Sequence, residues 1–268
     1  MSGKEKVVVP KKLYSSRIIL ASALLADTKT FLRHWDVAIS VTKNLDNIRK
    51  ENIFGKASRS RVEDILKIFR LRYLSSEAVI HSLVVLAKSD FPVEALDCIL
   101  YFFSAQSDLL LHDTVTEALV ARRNKGLLEV GPVYIRSVLT DWLKEGHMVS
   151  QWSEETIERV AQGLLATLRD FGILQGAVNK TIAPTHLPKE AFAFIAFYLW
   201  QLRPSGKLLL SNVEWQLFFL SPQLVERYLI EAHQFHLLEY HAAGSVIRIA
   251  FPAQTLEGYA HALTERTH

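Results

Sequence analysis

The chain has 268 residues, of which 49% are hydrophobic and 22% are charged, and its formal net charge at pH 7 is +3. These proportions are typical of a folded protein with one large or two ordinary domains, and they exclude a disordered chain. The single cysteine, Cys98, excludes a disulfide framework and a cysteine-rich zinc site, and it fits a reducing compartment. Because the net charge is small, a surface for nucleic acid must come from an uneven distribution of basic residues.

Two features predict that the chain does not cross a membrane. The start, MSGKEKVVVPKK, has neither the long apolar segment nor the cleavage site of a signal peptide. The longest uninterrupted apolar run, residues 191–200, is about half as long as the roughly 20 residues that a membrane-spanning helix needs. We therefore expect a cytoplasmic protein with residues 191–200 in its core.

The N-terminal part of the chain is predicted to be helical. Residues 1–12, with four lysines and one glutamate, should form a basic flexible arm. Residues 13–126 show no alternating strand pattern and should form a helical domain. Its helices are expected at 15–26, 29–43, 45–52, 60–74, 76–89, 92–105 and 112–125.

Residues 45–74 are predicted to form a helix-turn-helix with a tight turn at Phe54-Gly55-Lys56. Ser60, followed three residues later by Glu63, has the spacing of a capping box, which places the start of the second helix at Ser60. That helix should bury an apolar stripe at helical spacing. The stripe consists of Val62, Ile65, Leu66, Phe69 and Tyr73.

This stretch also carries a local excess of positive charge. Residues 43–74 contain nine basic and four acidic side chains, in a chain whose total is only +3. Lys56, Arg59 and Arg61 fall at the turn and at the first turn of the second helix, where free N–H groups and the helix dipole favour an anion. The layout is that of a helix-turn-helix bound to DNA phosphates. The alternative is a solvated amphipathic helix pair with ordinary surface ion pairs.

Residues 127–268 are predicted to form a second helical domain with two winged-helix-like units, at 132–183 and 188–251. The first unit should have helices at 132–145 and 153–171, followed by short strands at 172–175 and 180–183. The second should have helices at 188–201, 208–220 and 222–234, followed by a hairpin whose turn is at 241–244.

The distribution of basic residues favours the first of these units as a second contact with DNA. Arg159 and Arg169 lie off the apolar stripe of its longer helix, and Arg122, Arg123 and Lys125 precede the unit. The second unit is less basic and more aromatic, so contact with protein or core packing suits it better than contact with DNA.

We find no arrangement of residues that indicates catalysis. The chain has no GxxxxGK[ST] phosphate-binding loop, no GxSxG nucleophile motif and no His-Glu-x-x-His pair. The spacing closest to a metal site is His233, His236 and His241, for which surface or partly packed histidines are the simpler interpretation. We therefore expect a protein that is not an enzyme and that has no cofactor, metal or catalytic residue.

Two segments, LYSSRIILASALLADTKTFL and NIFGKASRSRVEDILKIFRLRYL, resemble the BrxA family of the bacteriophage exclusion (BREX) defence systems, a family once labelled as a putative inner-membrane protein. The resemblance extends from about Lys12 over nearly the whole chain. It implies a mostly α-helical, non-enzymatic, cytosolic protein that binds double-stranded DNA through two helix-turn-helix elements. It also implies BREX partners, namely a methyltransferase, an ATPase and a phosphatase-like protein.

Our first hypothesis is a monomeric protein that binds duplex DNA with little or no sequence specificity, because contacts to phosphates carry no sequence information. The predicted contacts of the helix-turn-helix are Arg49, Lys50, Lys56, Ser58, Arg59, Ser60 and Arg61, and those of the second element are Arg122, Arg123, Lys125, Arg159 and Arg169. The rival hypothesis is a scaffold whose aromatic C-terminal half docks partner subunits. RNA binding is a third hypothesis, although the basic stretch offers few aromatic side chains for base stacking.

Overall fold

The structure of the protein, a computed structural model, describes residues 12–20, 22–184, 186–244 and 246–266. The predicted basic arm therefore lies outside the described residues, except for Lys12. The described part of the chain is mainly helical, with two small antiparallel hairpins. This confirms the predicted fold class.

The α-helices are α1 (Leu25–His34), α2 (Val41–Glu51), α3 (Arg59–Tyr73), α4 (Glu77–Lys88), α5 (Val93–Ser107), α6 (Leu109–Asp113), α7 (Val120–Asn124), α8 (Pro132–Lys144), α9 (Glu154–Asp170), α10 (Lys189–Leu202), α11 (Gly206–Leu210), α12 (Pro222–Gln234) and α13 (Leu256–Glu265). Short 3₁₀ helices span Ser16–Leu20 and Val213–Phe218, and a π-helical segment, Thr114–Leu119, joins α6 to α7. The strands are β1 (Leu174–Gln175), β2 (Thr181–Ile182), β3 (Glu239–Ala243) and β4 (Val246–Ala250), which pair as β1–β2 and β3–β4.

The bounds predicted for the first helices are wrong. In place of the two helices predicted at 15–26 and 29–43, the chain forms a 3₁₀ turn, then α1, then a loop and α2. Ser40 caps α2, and the buried Asn44 side chain donates to the Asp36 carbonyl at 2.7 Å and accepts from the Asp36 N–H at 2.8 Å. Hydrophobic periodicity does not register such side-chain bonds to the backbone, so the helix break was missed.

The start of α3 also differs from the prediction. The helix begins at Arg59, and its N-cap is Ser58 and not Ser60. The Ser58 hydroxyl accepts a hydrogen bond from the Arg61 N–H at 3.2 Å. Glu63 does not close a capping box, because its carboxylate accepts hydrogen bonds from an arginine of α2. The predicted apolar stripe of this helix is confirmed, since all five of its side chains are buried.

Ser58→Ala is expected to lower the free energy of unfolding by about 1 kcal/mol, because the first turn of α3 loses its side-chain acceptor. Ser60→Ala is the matched control, and because Ser60 is exposed within the helix, its effect should stay below about 0.5 kcal/mol. Urea unfolding followed by circular dichroism measures both values. Equal effects of the two substitutions would contradict the assignment of Ser58 as the cap.

The helix predicted at 112–125 starts earlier and is not uniform. Asp108 caps α6 by accepting from the N–H groups of Leu110 and Leu111 at 3.1 and 3.4 Å. The chain then passes through the π-helical segment into α7. A π-helical turn widens the backbone spiral and shifts the side chains that follow it, which a regular helical pattern does not anticipate.

The first predicted winged-helix-like unit contains a helix pair followed by a small hairpin. α8 packs on α9, and β1 then pairs with β2. Glu129, shortly before α8, forms an antiparallel bridge with Thr181 of β2, and the Val130 N–H donates to the Lys180 carbonyl at 2.8 Å. The order along the chain is therefore a bridging residue, two helices and a hairpin.

The second predicted unit has the expected order but different bounds. The helix predicted at 208–220 is two shorter pieces, α11 and the 3₁₀ helix Val213–Phe218. β3 continues through Ala243, so the hairpin turn begins at Gly244, at φ +59°, and not at His241. The last helix, α13, was not predicted.

One continuous hydrophobic core joins these elements and includes residues from Tyr14 to Leu263. Within it α13 packs against α4, and α10 packs against α5. Residues 191–200, the longest apolar run, lie in α10 and are mostly buried, as predicted for a core helix. None of the helices in the described ranges is long and apolar enough to cross a membrane. The division into two domains after residue 126 stays a prediction.

Candidate nucleic-acid interface

A well-defined turn joins α2 to α3. Asn52, in the left-handed conformation at φ +44°, donates to the Lys56 carbonyl at 3.0 Å and accepts from the Lys56 N–H at 3.2 Å. Gly55, at φ +60°, takes a second left-handed position, which glycine adopts without steric cost. Phe54 is only 8% exposed, and the centre of its ring lies 5.8 Å from that of Phe69 in α3. These contacts fix how the two helices meet.

The turn and the neighbouring ends of α2 and α3 line an open cleft of about 650 Å³. Its charged lining is formed by four basic side chains and one acidic side chain: Arg49, Lys50, Lys56, Arg59 and Glu63. The first turn of α3 adds the positive end of the helix dipole at the same place. The excess of basic residues seen in the sequence is therefore concentrated around this cleft.

Arg49 is held by carboxylates and is not a free charge. Its Nε donates to Glu63 at 2.6 Å, and its Nη1 donates to Asp46 at 2.7 Å. The hydrogen bond to Glu63, followed by the charges of both carboxylates, raises the pKa of the guanidinium above its ordinary value although partial burial opposes this. Arg49 therefore joins α2 to α3, with its charge largely balanced.

Two further predicted contacts are also engaged within the protein. The Lys56 Nζ lies 2.9 Å from a carboxylate oxygen of Asp27 in α1. The Arg61 Nη1 donates to the Leu20 carbonyl at 2.6 Å, at the end of the first 3₁₀ helix. These two side chains fasten the helix pair to the preceding segment, so a phosphate would have to compete with their existing partners.

Lys50 and Arg59 differ from the other basic residues of the cleft. Both are exposed, and neither forms a hydrogen bond or an ion pair with any residue that the structure describes. Ser60 is exposed beside them, whereas the Ser58 hydroxyl is occupied as the helix cap. Of the predicted contacts in this cleft, Lys50 and Arg59 are the ones whose charge is available to a ligand.

The basic residues at the end of α7 have mainly internal partners. The Arg122 guanidinium lies over the Tyr134 ring, 4.2 Å from its centre. Arg123 donates to the Phe219 carbonyl at 3.1 Å and lies 5.0 Å from the centre of that ring. Lys125 is exposed. Arg122 and Arg123 thus connect α7 to neighbouring elements, and Lys125 alone is directed to solvent.

The exposed face of α9 carries mixed charge. Arg159 is exposed without an ion pair to a described residue, whereas Arg169 lies 2.7 Å from Asp170. Glu154 and Glu155 are exposed in the first turn of the helix, where they would repel a phosphate. The 3₁₀ helix Ser16–Leu20 packs along another side of α9. Arg159 is therefore the predicted contact on this helix that the structure leaves available.

The three histidines considered as a metal-like set do not form such a site. The rings of His233 and His241 lie 5.4 Å apart, and the His233 Nδ1 accepts from the Tyr240 N–H at 3.4 Å. Within the described ranges, no three histidine, cysteine or acidic side chains are grouped so that they could hold a metal ion.

A buried ionic network was missed by sequence analysis. Asp113, 2% exposed, accepts hydrogen bonds from the Tyr14 hydroxyl and the His112 Nδ1, each at 2.8 Å. Lys12 lies 2.9 Å from the same carboxylate, and the His112 Nε2 lies 3.2 Å from Glu214. The only signal in the sequence was an adjacent His-Asp pair in an apolar helix, because the other partners are about a hundred residues away.

Burial alone would lower the pKa of His112. The hydrogen bonds to Asp113 and Glu214, and the charges of these carboxylates, outweigh burial and raise the pKa of His112 to about 9. Burial would likewise raise the pKa of Asp113, but the hydrogen bonds from His112, Lys12 and Tyr14 lower it below its ordinary value. The imidazole is therefore charged at neutral pH and forms ion pairs with both carboxylates.

Comparison with known proteins identifies a family. The model of the family described as BrxA matches residues 12–198, which is more than two thirds of the chain. A search of curated proteins finds no match. The matched range includes the basic cleft and the first winged-helix-like unit, and it ends within α10.

Proposed function

We propose that this chain, which belongs to the BrxA family and so has a role in BREX phage defence, binds double-stranded DNA as a non-catalytic component of that system. The observation that carries the proposal is the basic cleft between α2 and α3. There Lys50 and Arg59 are exposed without internal partners, at a turn whose conformation is fixed by hydrogen bonds.

Phosphate is the ligand that this cleft suits best. Two free cations stand beside the first turn of a helix, where the dipole favours an anion. Contacts to phosphate position DNA without reading its sequence. We therefore expect this site to bind duplexes of any sequence with similar affinity.

Burial of the aromatic residues favours a duplex over single strands. Proteins that bind single-stranded DNA or RNA stack bases on exposed aromatic rings that alternate with basic residues. Phe54 and Tyr73, the aromatic side chains considered for this role, are 8% and 0% exposed and belong to the core. The cleft thus offers charge without a stacking surface.

The unit that contains α8 and α9 is proposed as a secondary contact. Its order of bridging residue, helix, helix and hairpin is that of a winged helix, whose last helix and hairpin contact DNA in many proteins. Arg159 is available there, but the glutamates at the start of α9 limit its contribution. The cleft between α2 and α3 is accordingly the primary site.

The test is fluorescence-anisotropy titration of the full chain with duplex, single-stranded and RNA oligonucleotides of matched length at several salt concentrations. Lys50→Ala/Arg59→Ala should weaken duplex binding by roughly 30- to 100-fold at 0.1 M salt and flatten the slope of log K against log salt by about 1.8, because two phosphate contacts are lost. Lys144→Ala/Arg203→Ala removes two exposed charges elsewhere and is the matched control. An unaffected Lys50→Ala/Arg59→Ala variant would contradict the assignment of the cleft.

Docking of partner proteins is the second candidate function, and it is compatible with the first. Family membership implies association with other components of the defence system. A cleft of about 580 Å³ at the start of α5 and α10 is lined in part by Pro92, Val93, Pro188 and Tyr228, and Val93 is 57% exposed. If the wild-type chain binds no duplex at low salt, this surface becomes the leading candidate, and pull-downs with the proposed methyltransferase, ATPase and phosphatase-like partners would follow.

A further inference from the structure

Helix α12 carries an exposed polar stripe that none of the contacts described so far explains. Gln223, Arg227, Ile230 and Gln234 follow one another at positions i, i+4, i+7 and i+11, which places them on one face of the helix. All four are exposed, and Ile230 is 43% exposed. Gln223, Arg227 and Gln234 form no hydrogen bond or ion pair with any residue in the described ranges.

The two carboxylates of α12 differ in their position relative to this stripe. The Glu226 Oε1 accepts a hydrogen bond from the Tyr240 hydroxyl at 2.7 Å, which turns this side chain toward the hairpin. Glu231 is exposed and stands four residues after Arg227, so it lies beside Arg227 at one edge of the stripe. The first turn contains no acidic residue. The stripe therefore presents two amides, one cation and one apolar side chain, with one carboxylate at its edge.

The position of α12 within its unit is that of a DNA-reading helix. It is the last helix before the hairpin β3–β4 and is preceded by α10, α11 and a 3₁₀ helix. Arg248 of β4 is exposed and pairs in register with His241, whose ring lies 5.4 Å from that of His233 in α12. Arg248 therefore lies on the same face of the hairpin as His241, one strand further from α12.

Helix α9 occupies the corresponding position in the first unit, but the two helices differ in the charge of their first turns. Its first turn exposes Glu154 and Glu155, whereas the first turn of α12 has neither aspartate nor glutamate. A helix that enters the major groove passes between two rows of phosphates, so acidic residues at its start are unfavourable. Of the two helices, α12 is the better suited, although it lies beyond the matched residues 12–198.

We propose that α12 reads base edges in the major groove of duplex DNA and gives this protein a sequence preference. Arginine pairs with guanine O6 and N7, glutamine pairs with adenine N6 and N7, and an apolar side chain contacts the thymine methyl group. Arg227, Gln223 and Ile230 supply the arginine, the glutamine and the apolar side chain for these three contacts. The stripe from Gln223 to Gln234 is about 16 Å long. Arg248 would contact a flanking phosphate. This inference rests on the proposed binding of duplex DNA, but it concerns a separate surface.

The experiment is selection of a duplex library with a randomised centre by the full-length chain, at a salt concentration that suppresses purely phosphate-based binding. Sequencing of bound duplexes should reveal an enriched site that contains guanine and adenine. Anisotropy then gives the ratio of affinities for this site and for a shuffled duplex. Arg227→Ala and Gln223→Ala should each reduce that ratio by about 5- to 150-fold, because one base contact is lost.

Two control variants separate this inference from the proposed function. Arg203→Ala makes the same change of charge at an exposed position off the stripe and should leave the ratio unchanged. Lys50→Ala/Arg59→Ala should weaken binding to both duplexes and also leave the ratio unchanged. Binding without any enriched sequence, or an enriched site that is indifferent to Arg227→Ala and Gln223→Ala, would overturn the inference and leave the proposed function standing. Failure of the wild-type chain to bind any duplex would overturn both.

Discussion

Asp113→Ala is expected to destabilise the protein by about 3 to 5 kcal/mol, because it removes one partner from a buried ionic network. The carboxylate is 2% exposed and is contacted by Tyr14, His112 and Lys12 at 2.8, 2.8 and 2.9 Å. Without it, the charged imidazole keeps one of its two carboxylates, and the tyrosine hydroxyl loses its acceptor. Urea unfolding at pH 7 measures the loss.

Two comparisons make this expectation specific. Asp141→Ala removes an exposed carboxylate, 62% exposed, from a surface ion pair with Lys144 and should change stability by less than about 1 kcal/mol. Tyr14→Phe removes only one hydroxyl from the network. Its loss of stability should lie between those of Asp141→Ala and Asp113→Ala, at about 1 to 2 kcal/mol. A loss below about 1 kcal/mol for Asp113→Ala would show that the network contributes little to folding.

Stability is expected to decrease as the pH rises from about 6.5 to above 9. The pKa of His112 is about 9 in the folded protein, whereas that of an ordinary histidine is 6.5. A group whose pKa is higher in the folded than in the unfolded state stabilises the folded protein fully at a pH below its unfolded pKa. This stabilisation is lost as the pH rises through the pKa of the folded state. The shift corresponds to stabilisation on the order of 3 kcal/mol. Urea unfolding across this pH range gives the free energy of unfolding as a function of pH.

His112→Asn is the variant that isolates this effect. This variant should be less stable than the wild type at pH 6, and the two stabilities should become similar as the pH rises above 9. Burial raises the pKa of Cys98 to about 12, so ionisation of this thiol in the unfolded chain also lowers stability at high pH. Because Cys98 is present in both proteins, their difference reports His112 alone. A constant difference between pH 6 and 9.5 would contradict the assigned pKa.

The network matters because of the elements that it joins. Lys12 and Tyr14 belong to the segment before the first 3₁₀ helix, His112 and Asp113 belong to α6, and Glu214 belongs to the 3₁₀ helix before α12. The Tyr14 backbone also donates to the His147 carbonyl at 2.6 Å, between α8 and α9. The network thus joins the segment before the first 3₁₀ helix, α6 and the 3₁₀ helix before α12, and the backbone bond of Tyr14 adds the loop between α8 and α9.

The helices were largely predictable where one regular apolar pattern decided them. The stripe from Val62 to Tyr73 and the apolar run at 191–200 are buried as expected, because helical spacing alone determines which side chains can face a core. The bounds failed where side chains bond to nearby backbone, as at Ser40, Asn44 and Ser58. Several residues there compete as caps, and small differences in local geometry select one of them.

The sequence by itself determined the helical class, the concentration of basic residues at 43–74 and the family, because these depend on composition, spacing and short segments. Only the tertiary structure decided which of the basic residues predicted to contact DNA are available. Arg61 donates a hydrogen bond to a carbonyl 41 residues away, and Arg123 donates one to a carbonyl 96 residues away. Lys50 and Arg59 have no such partner among the described residues. A sequence shows that a side chain is charged, but its availability depends on which distant groups folding brings within a few ångströms.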